Sequence, residues 1–223
     1  TDLQNAINMV EGDIHLSSNV TMLASEADNF VNGIVVDHLV NLKCDGFTID
    51  ANNLGRIFNV TSTADKLNIY NANLINGNAD IGGAIYNTGS VYTYNTNFIN
   101  NTADNGAAYR LGDDNNGVSS ASVDSCTFIN NTASNQGGAV YEGGKTGKST
   151  LDIKNSIFTN NSAKKEGSAI YSGYTLNIDD DTTFTNNMVY MYYTGTLNIS
   201  EIKTFTDLQK AINMVEGDIH LSS

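Results

Sequence analysis

One short pattern returns five times in this chain and limits what the chain can become. LINGNADIGGAIYN begins at Leu74, FINNTADNGAAYR at Phe98, FINNTASNQGGAVYE at Phe128, FTNNSAKKEGSAIYS at Phe158 and FTNNMVYMYYTG at Phe184, with first residues 24, 30, 30 and 26 apart. A second pattern runs ahead of it. Leu67 and Ile69 precede Leu74 by seven and five residues, and Leu151 and Ile153 precede Phe158 by the same offsets. Leu176 and Ile178 precede Phe184 by eight and six, so 179–181 carries one extra residue. Leu-x-Ile alternation puts one side chain in and the next out, as in a short strand. A helix needs apolar residues three and four apart, and these segments lack them. Each period therefore holds two or three short strands separated by Gly, Asn, Asp and Ser turns. Such a strand buries its face only when one period stacks on the next, with equivalent positions ~4.8 Å apart. The expected fold is all-β: a right-handed parallel β-helix (β-solenoid), its hand following from the crossover rule.

Stacking turns the repeat into columns. Phe98, Phe128, Phe158 and Phe184 are expected to form an inward aromatic core column, continued by Leu74 and Phe205. Each buried ring contributes roughly 1.5–3 kcal/mol. Three residues further on lie Gly77, Asn101, Asn131, Asn161 and Asn187. Gly and Asn both tolerate positive φ, which predicts a left-handed corner there in every coil and a ladder of stacked, hydrogen-bonded Asn side chains. The pairs Gly82–Gly83 and Gly137–Gly138 predict another sharp bend. Tyr86, Tyr109, Tyr141 and Tyr171 recur at one strand position. If Ile85, Val140 and Ile170 point inward, these rings point out. Such a ladder could stack on sugars, but mutual stacking of the rings explains it without a ligand.

The first eighteen residues differ in kind. Leu3, Ala6, Ile7 and Val10 follow helical spacing, and TDLQ fits a capping box with Thr1 at N-cap and Gln4 at N3. A short amphipathic helix, about 1–11, would cover the open end of the solenoid, whose unpaired edges need a cap. Residues 206–223 repeat residues 1–18 with one difference, Lys210 for Asn5. Leu197 and Ile199 precede Phe205 by eight and six, so the chain passes from a last coil into a second capping helix carrying Leu208, Ala211, Ile212 and Val215. The expected organisation is a unit of residues 1–205 with 206–223 opening the next tandem unit. At about 26 residues and ~4.8 Å per coil, a unit has about seven or eight coils and is roughly 35–40 Å long. Leu3, Ile7 and Val10, with Leu208, Ile212 and Val215, would form the junction between units. The chain's main partner would then be itself, adjacent units end to end.

Composition narrows the function. The formal charge is −13 with 11 Lys and Arg, which argues against nucleic acid. No stretch is apolar enough to span a bilayer, and no signal peptide is present, as expected of a fragment that opens inside a repeat unit.

The F-x-N-N-x-A and G-G-A-I-Y motifs resemble the parallel β-helix repeats of adhesin-like surface proteins of methanogenic archaea. They are also similar to the GGAI/FxxN repeats of bacterial polymorphic outer membrane proteins. The likeness spans nearly the whole chain, is most specific over 74–187 and weaker over 13–64. It implies an extracellular, cell-surface, modular protein with a role in attachment to an unknown cell-surface or carbohydrate receptor. It carries no motif of binding residues.

Candidate chemistry is sparse. GGKTGKST (143–150) is one residue short of a phosphate loop and lies between predicted strands, so an exposed loop is the better reading. Polysaccharide lyases and hydrolases use this fold, and glycoside cleavage needs paired carboxylates at a cleft. The acidic clusters are Asp113 with Asp114, near Arg110, and Asp179, Asp180 and Asp181, about 65 residues apart. They read as solvated turn acids, with calcium as the lesser alternative, because neither has EF-hand spacing. His15, His38 and His220 are scattered. The one notable insertion, 106–120, is modest. No catalytic residue and no cofactor is expected, so the leading reading is a structural or adhesive module, repeated in tandem as a stiff rod or filament. A carbohydrate-binding or carbohydrate-cleaving β-helix is the alternative. Six N-glycosylation sequons start at Asn19, Asn59, Asn100, Asn130, Asn160 and Asn198. Cys44 and Cys126 lie about three coils apart, ~14 Å along the axis. That is too far to bridge, so both are expected to be reduced and buried.

Overall fold

The computed structural model describes residues 2–10, 12–61, 66–112, 118–143, 148–187, 191–194, 196–199 and 215–216. The chain winds as a parallel β-solenoid. Among the described residues four parallel sheets run along it, with eight strands in sheet A, seven in sheet B, eight in sheet C and four in sheet D. Every inter-strand pairing among the described residues is parallel and joins one coil to the next. Sheet A opens with Gly12–His15 and carries the Leu-x-Ile columns: Leu67 pairs with Val91, Val91 with Ala121, Ala121 with Leu151, and Leu151 with Leu176. Sheet B carries Ile49, Leu74, Phe98, Phe128, Phe158 and Phe184 in register. The rings of Phe98, Phe128 and Phe158 stack nearly parallel, 4.6 and 4.5 Å apart, and Phe184 follows at 5.0 Å. That spacing is the strand spacing of a sheet, so the inward column forms as expected. Phe205 lies outside the described residues.

The bends need a correction. Positive φ falls at Asn76, Asn100, Asn130, Asn160 and Asn186, one residue before the expected ladder position. The two asparagines of F-x-N-N divide the work. The first, mostly exposed, takes the left-handed turn. The second drops into the interior: Asn101, Asn131, Asn161 and Asn187 are buried. In each coil the backbone N–H at the ladder position donates to the Oδ1 of the next coil's Asn, from Gly77 through Asn161, at 2.8–3.1 Å. Gly77 is a glycine for another reason than φ, because a Cβ there would lie 2.1 Å from the Gly83 carbonyl oxygen. The Gly bend does form: Gly82, Gly106, Gly137 and Gly167 have φ of 57–65°. A second left-handed corner, at Asn71, Asn95, Ser125 and Asn155, joins sheet A to sheet B. The extra residue at 179–181 replaces that corner in its coil, with Ile178 and Thr183 further apart than Ile153 and Ile157, their paired positions.

Helix α1, Asp2–Met9, caps the start, with Leu3 and Ile7 buried. Thr1 lies outside the described residues. The Gln4 side chain acts like a strand: Val35 N–H donates to Oε1 at 2.8 Å and Nε2 donates to the Val35 carbonyl at 3.1 Å. Val35 lies in Ile34–Val36, the outermost strand of sheet C, so one amide satisfies the edge that would otherwise recruit another chain. Val10 leaves the expected apolar stripe; it follows the helix and is 38% exposed. A short helix not expected from the sequence, α2 (Ala27–Phe30), occupies the first coil where later coils place sheet D. The second capping helix, with Leu208, Ala211 and Ile212, lies outside the described residues. Val215 differs from the expectation: Val215–Glu216 is a strand of sheet C, paired in parallel with Met191 and Tyr192.

Candidate functional surface

The expected outer tyrosine ladder is real but has different members. Ile85 pairs with Tyr109 and Tyr109 with Val140, so Tyr109 points inward; Tyr86 pairs with Arg110 and Arg110 with Tyr141. GAAYR aligns with GGAIY without a gap, and Tyr109 stands where its neighbours have Ile and Val. Its ring packs edge-on against Phe98 at 6.4 Å, and its hydroxyl accepts from Asn87 Nδ2. Complete burial pushes its phenol far above the usual range. On the outer face the Arg110 guanidinium lies 4.3 Å from the Tyr141 ring centroid, and Tyr141, Tyr171 and Tyr192 stack at 4.7 and 5.2 Å. Their faces cover one another, which supports mutual stacking over sugar binding for this ladder. Arg110 is buried and donates to the Leu111 and Gly143 carbonyls, the role of a clamp between coils.

Asp113 and Asp114 lie outside the described residues, as does the heart of GGKTGKST. Asp179 is a turn cap: its Oδ1 accepts from the Thr182 N–H and hydroxyl, and its Oδ2 from the Asn155 N–H. Asp180 and Asp181 are exposed. Among the described residues no three His, Cys, Asp or Glu side chains gather as metal ligands. Asn100, Asn130 and Asn160 are exposed, as is Asn19; Asn59 is half-buried, and the Asn198 side chain is not described. Cys44 and Cys126 are unbridged and buried. Burial pushes their thiols up to about 12 and about 11. Cys126 belongs to a small-residue column with Thr96, Ser156 and Thr182. The Cys126 N–H donates to Ser156 Oγ and the Ser156 N–H to Thr182 Oγ1, a second internal ladder.

Three features escaped the sequence reading. Glu142 is fully buried at the end of a sheet C strand, its carboxylate accepting from the Ser149 and Ser172 hydroxyls. Burial raises it to about 7. Alternation from Val140 pointed it inward, but its charge argued for solvent. An open cleft of about 570 Å³ lies where sheet D begins, between Val31 and Leu54 on one side and Asp80, Asp104 and Thr132 on the other. Arg56 builds its wall, donating to the Asn32, Ile81 and Gly82 carbonyls. The third feature is a concavity of about 450 Å³ on the outer face of sheet A, at Asp13, Asn41, Lys43, Asp45, Tyr70, Asn71 and Tyr94. Lys43 Nζ donates to Asp13 at 2.8 Å, and so does Asn41 Nδ2. The Lys43 bond holds the Asp13 carboxyl below its usual range.

No curated protein and no solved structure matches the chain. The Chlamydia polymorphic membrane protein repeat matches residues 125–141 and 155–173. Both stretches run through a sheet B phenylalanine, the paired asparagines and the Gly bend to sheet C. The match falls on the bacterial resemblance and gives no support to an archaeal origin. Together with the parallel β-solenoid it fits a β-helix, adhesin-like surface protein; in its repeat architecture this chain is similar to the polymorphic membrane proteins.

Proposed function

We propose that the chain is a non-catalytic structural module of a cell-surface adhesin-like protein, and that such modules stack coaxially into a stiff extracellular rod. One observation carries the stacking. Residues 206–223 repeat residues 1–18, and Val215–Glu216, the copy of Val10 and Glu11, extends sheet C by pairing with Met191 and Tyr192. The duplicated segment thus has two attachments. Its helical part, seen at α1, holds the sheet C edge of the coils that follow it through Gln4. Its strand part pairs with the coil before it. The surface fits: Met9, Val10, Leu23, Val31, Val35 and Leu39, all in or next to the first coil, are exposed. A joint made of sheet pairing is stiff, and 199–206 has neither Gly nor Pro to loosen it.

A protein carrying two 205-residue units in series should appear in negative-stain images as a straight rod of one width and twice the length. Two bodies meeting at variable angles would remove the coaxial reading. Incubation with polygalacturonate, pectin or cellulose should release no products; turnover lost on Asp104→Asn would instead place an enzyme at the sheet D cleft.

A further inference from the structure

We propose that the concavity on sheet A is a saccharide-binding site for an extended β-1,4-linked hexopyranose chain lying parallel to the solenoid axis. The outer face of sheet A presents His15, Lys43, Tyr70 and Tyr94 in one column, each paired with the next coil's residue. Two of these are tyrosines one coil apart. Unlike Tyr141, Tyr171 and Tyr192, Tyr94 is stacked on no other ring among the described residues and is 41% exposed. Tyr70 meets Tyr92 edge-on at 5.8 Å, and Lys66 lies over the Tyr92 ring at 5.9 Å. Tyr70 is thereby braced from the neighbouring column.

The floor supplies the polar half of sugar recognition. Beside the rings lie the Asn41 amide, the Lys43 ammonium and the Asp13 and Asp45 carboxylates, which supply donors and acceptors for sugar hydroxyls. Asp13, Asn41 and Lys43 already hold one another in place, so little ordering is left to binding. A volume of about 450 Å³ suits a few sugar rings rather than a protein segment. The strongly acidic chain repels nucleic acid and polyanions. Axial direction follows from the repeat: an extended β-1,4-linked chain advances by about one coil per residue, as strands do at ~4.8 Å. Successive sugars would sit on Tyr94, on Tyr70 and over Lys43.

This deepens the attachment reading by naming a ligand class, and it does not depend on stacking between modules. The test is titration of the whole 223-residue chain with cellotetraose and with chitotetraose, followed by tyrosine fluorescence and calorimetry. Saturable binding of at least one, with a Kd of about 1 mM or tighter, is expected. Tyr94→Ala and Tyr70→Ala should each weaken it about tenfold, and Tyr171→Ala should leave it unchanged, all three keeping the parent circular dichroism. Absence of saturable binding to both sugars overturns the site, and so does an equal loss in Tyr171→Ala. Rod images of two-unit proteins are unaffected by either result, so the two readings fail separately.

Discussion

Asn131→Leu should destabilise the protein by roughly 3–6 kcal/mol, and Asn130→Leu, one residue away, by about 1–2 kcal/mol. Asn131 sits in the middle of the internal ladder. Its Oδ1 accepts from both the N–H and the side-chain amide of Asn101, and its Nδ2 donates to the Phe98 carbonyl and to Asn161 Oδ1. Leucine leaves several of these buried groups unpaired, each costing ~1–3 kcal/mol. Asn130 is exposed at φ 56°, where leucine meets only the left-handed backbone penalty. With ordinary domain stabilities of ~5–15 kcal/mol, the first variant loses a large share of the total. Urea unfolding followed by circular dichroism compares them directly. Equal midpoints would contradict the division of labour between the two asparagines.

Stability should also fall as pH rises from about 4.5 to above 7, by about 3 kcal/mol from Glu142, and Glu142→Gln should remove that part of the slope, leaving the contribution of His38, which its hydrogen bond to Asp37 also raises. In the fold the Glu142 carboxyl is pushed up to about 7, chiefly by burial, against an ordinary 4.5. Below 4.5 it is protonated in both folded and unfolded chains, and its contribution is fully present. As pH rises the unfolded chain loses the proton first. The contribution is then lost until pH passes the folded value near 7. Asp13, whose carboxyl is held below the usual range, acts with the opposite sign and at lower pH, so the two windows separate. Glutamine reproduces the neutral form beside Ser149 and Ser172. Unfolding midpoints of parent and variant between pH 4.5 and 8.5 read the effect; parallel curves would sink it.

The architecture was legible because a solenoid writes its packing into one dimension. Phe98, Phe128 and Phe158 stack because strands of successive coils are one sheet spacing apart, so a repeat in sequence becomes a column in space. Alternation set the relation between neighbours: with Ile85, Val140 and Ile170 buried, Tyr86, Tyr141 and Tyr171 face out.

What depended on the third dimension lay at the corners and the ends. Asn and Gly share a tolerance for positive φ, so composition could not tell which of two adjacent asparagines turns and which is buried; only the closing of the coil chooses. Tyr109 left its expected outer position to Arg110 because the neighbouring strands set the register, and a local Tyr-for-Tyr match is weaker than pairing with Ile85 and Val140. Gln4 read as a capping residue, yet its amide closes a strand edge thirty-one residues away, a contact that exists only once the first coil has wound under α1. The periodic interior was determined by the sequence itself, since each coil repeats the same local problem. The edges, the buried carboxylate and the paired tyrosines were decided by which side chains from different coils came to lie together.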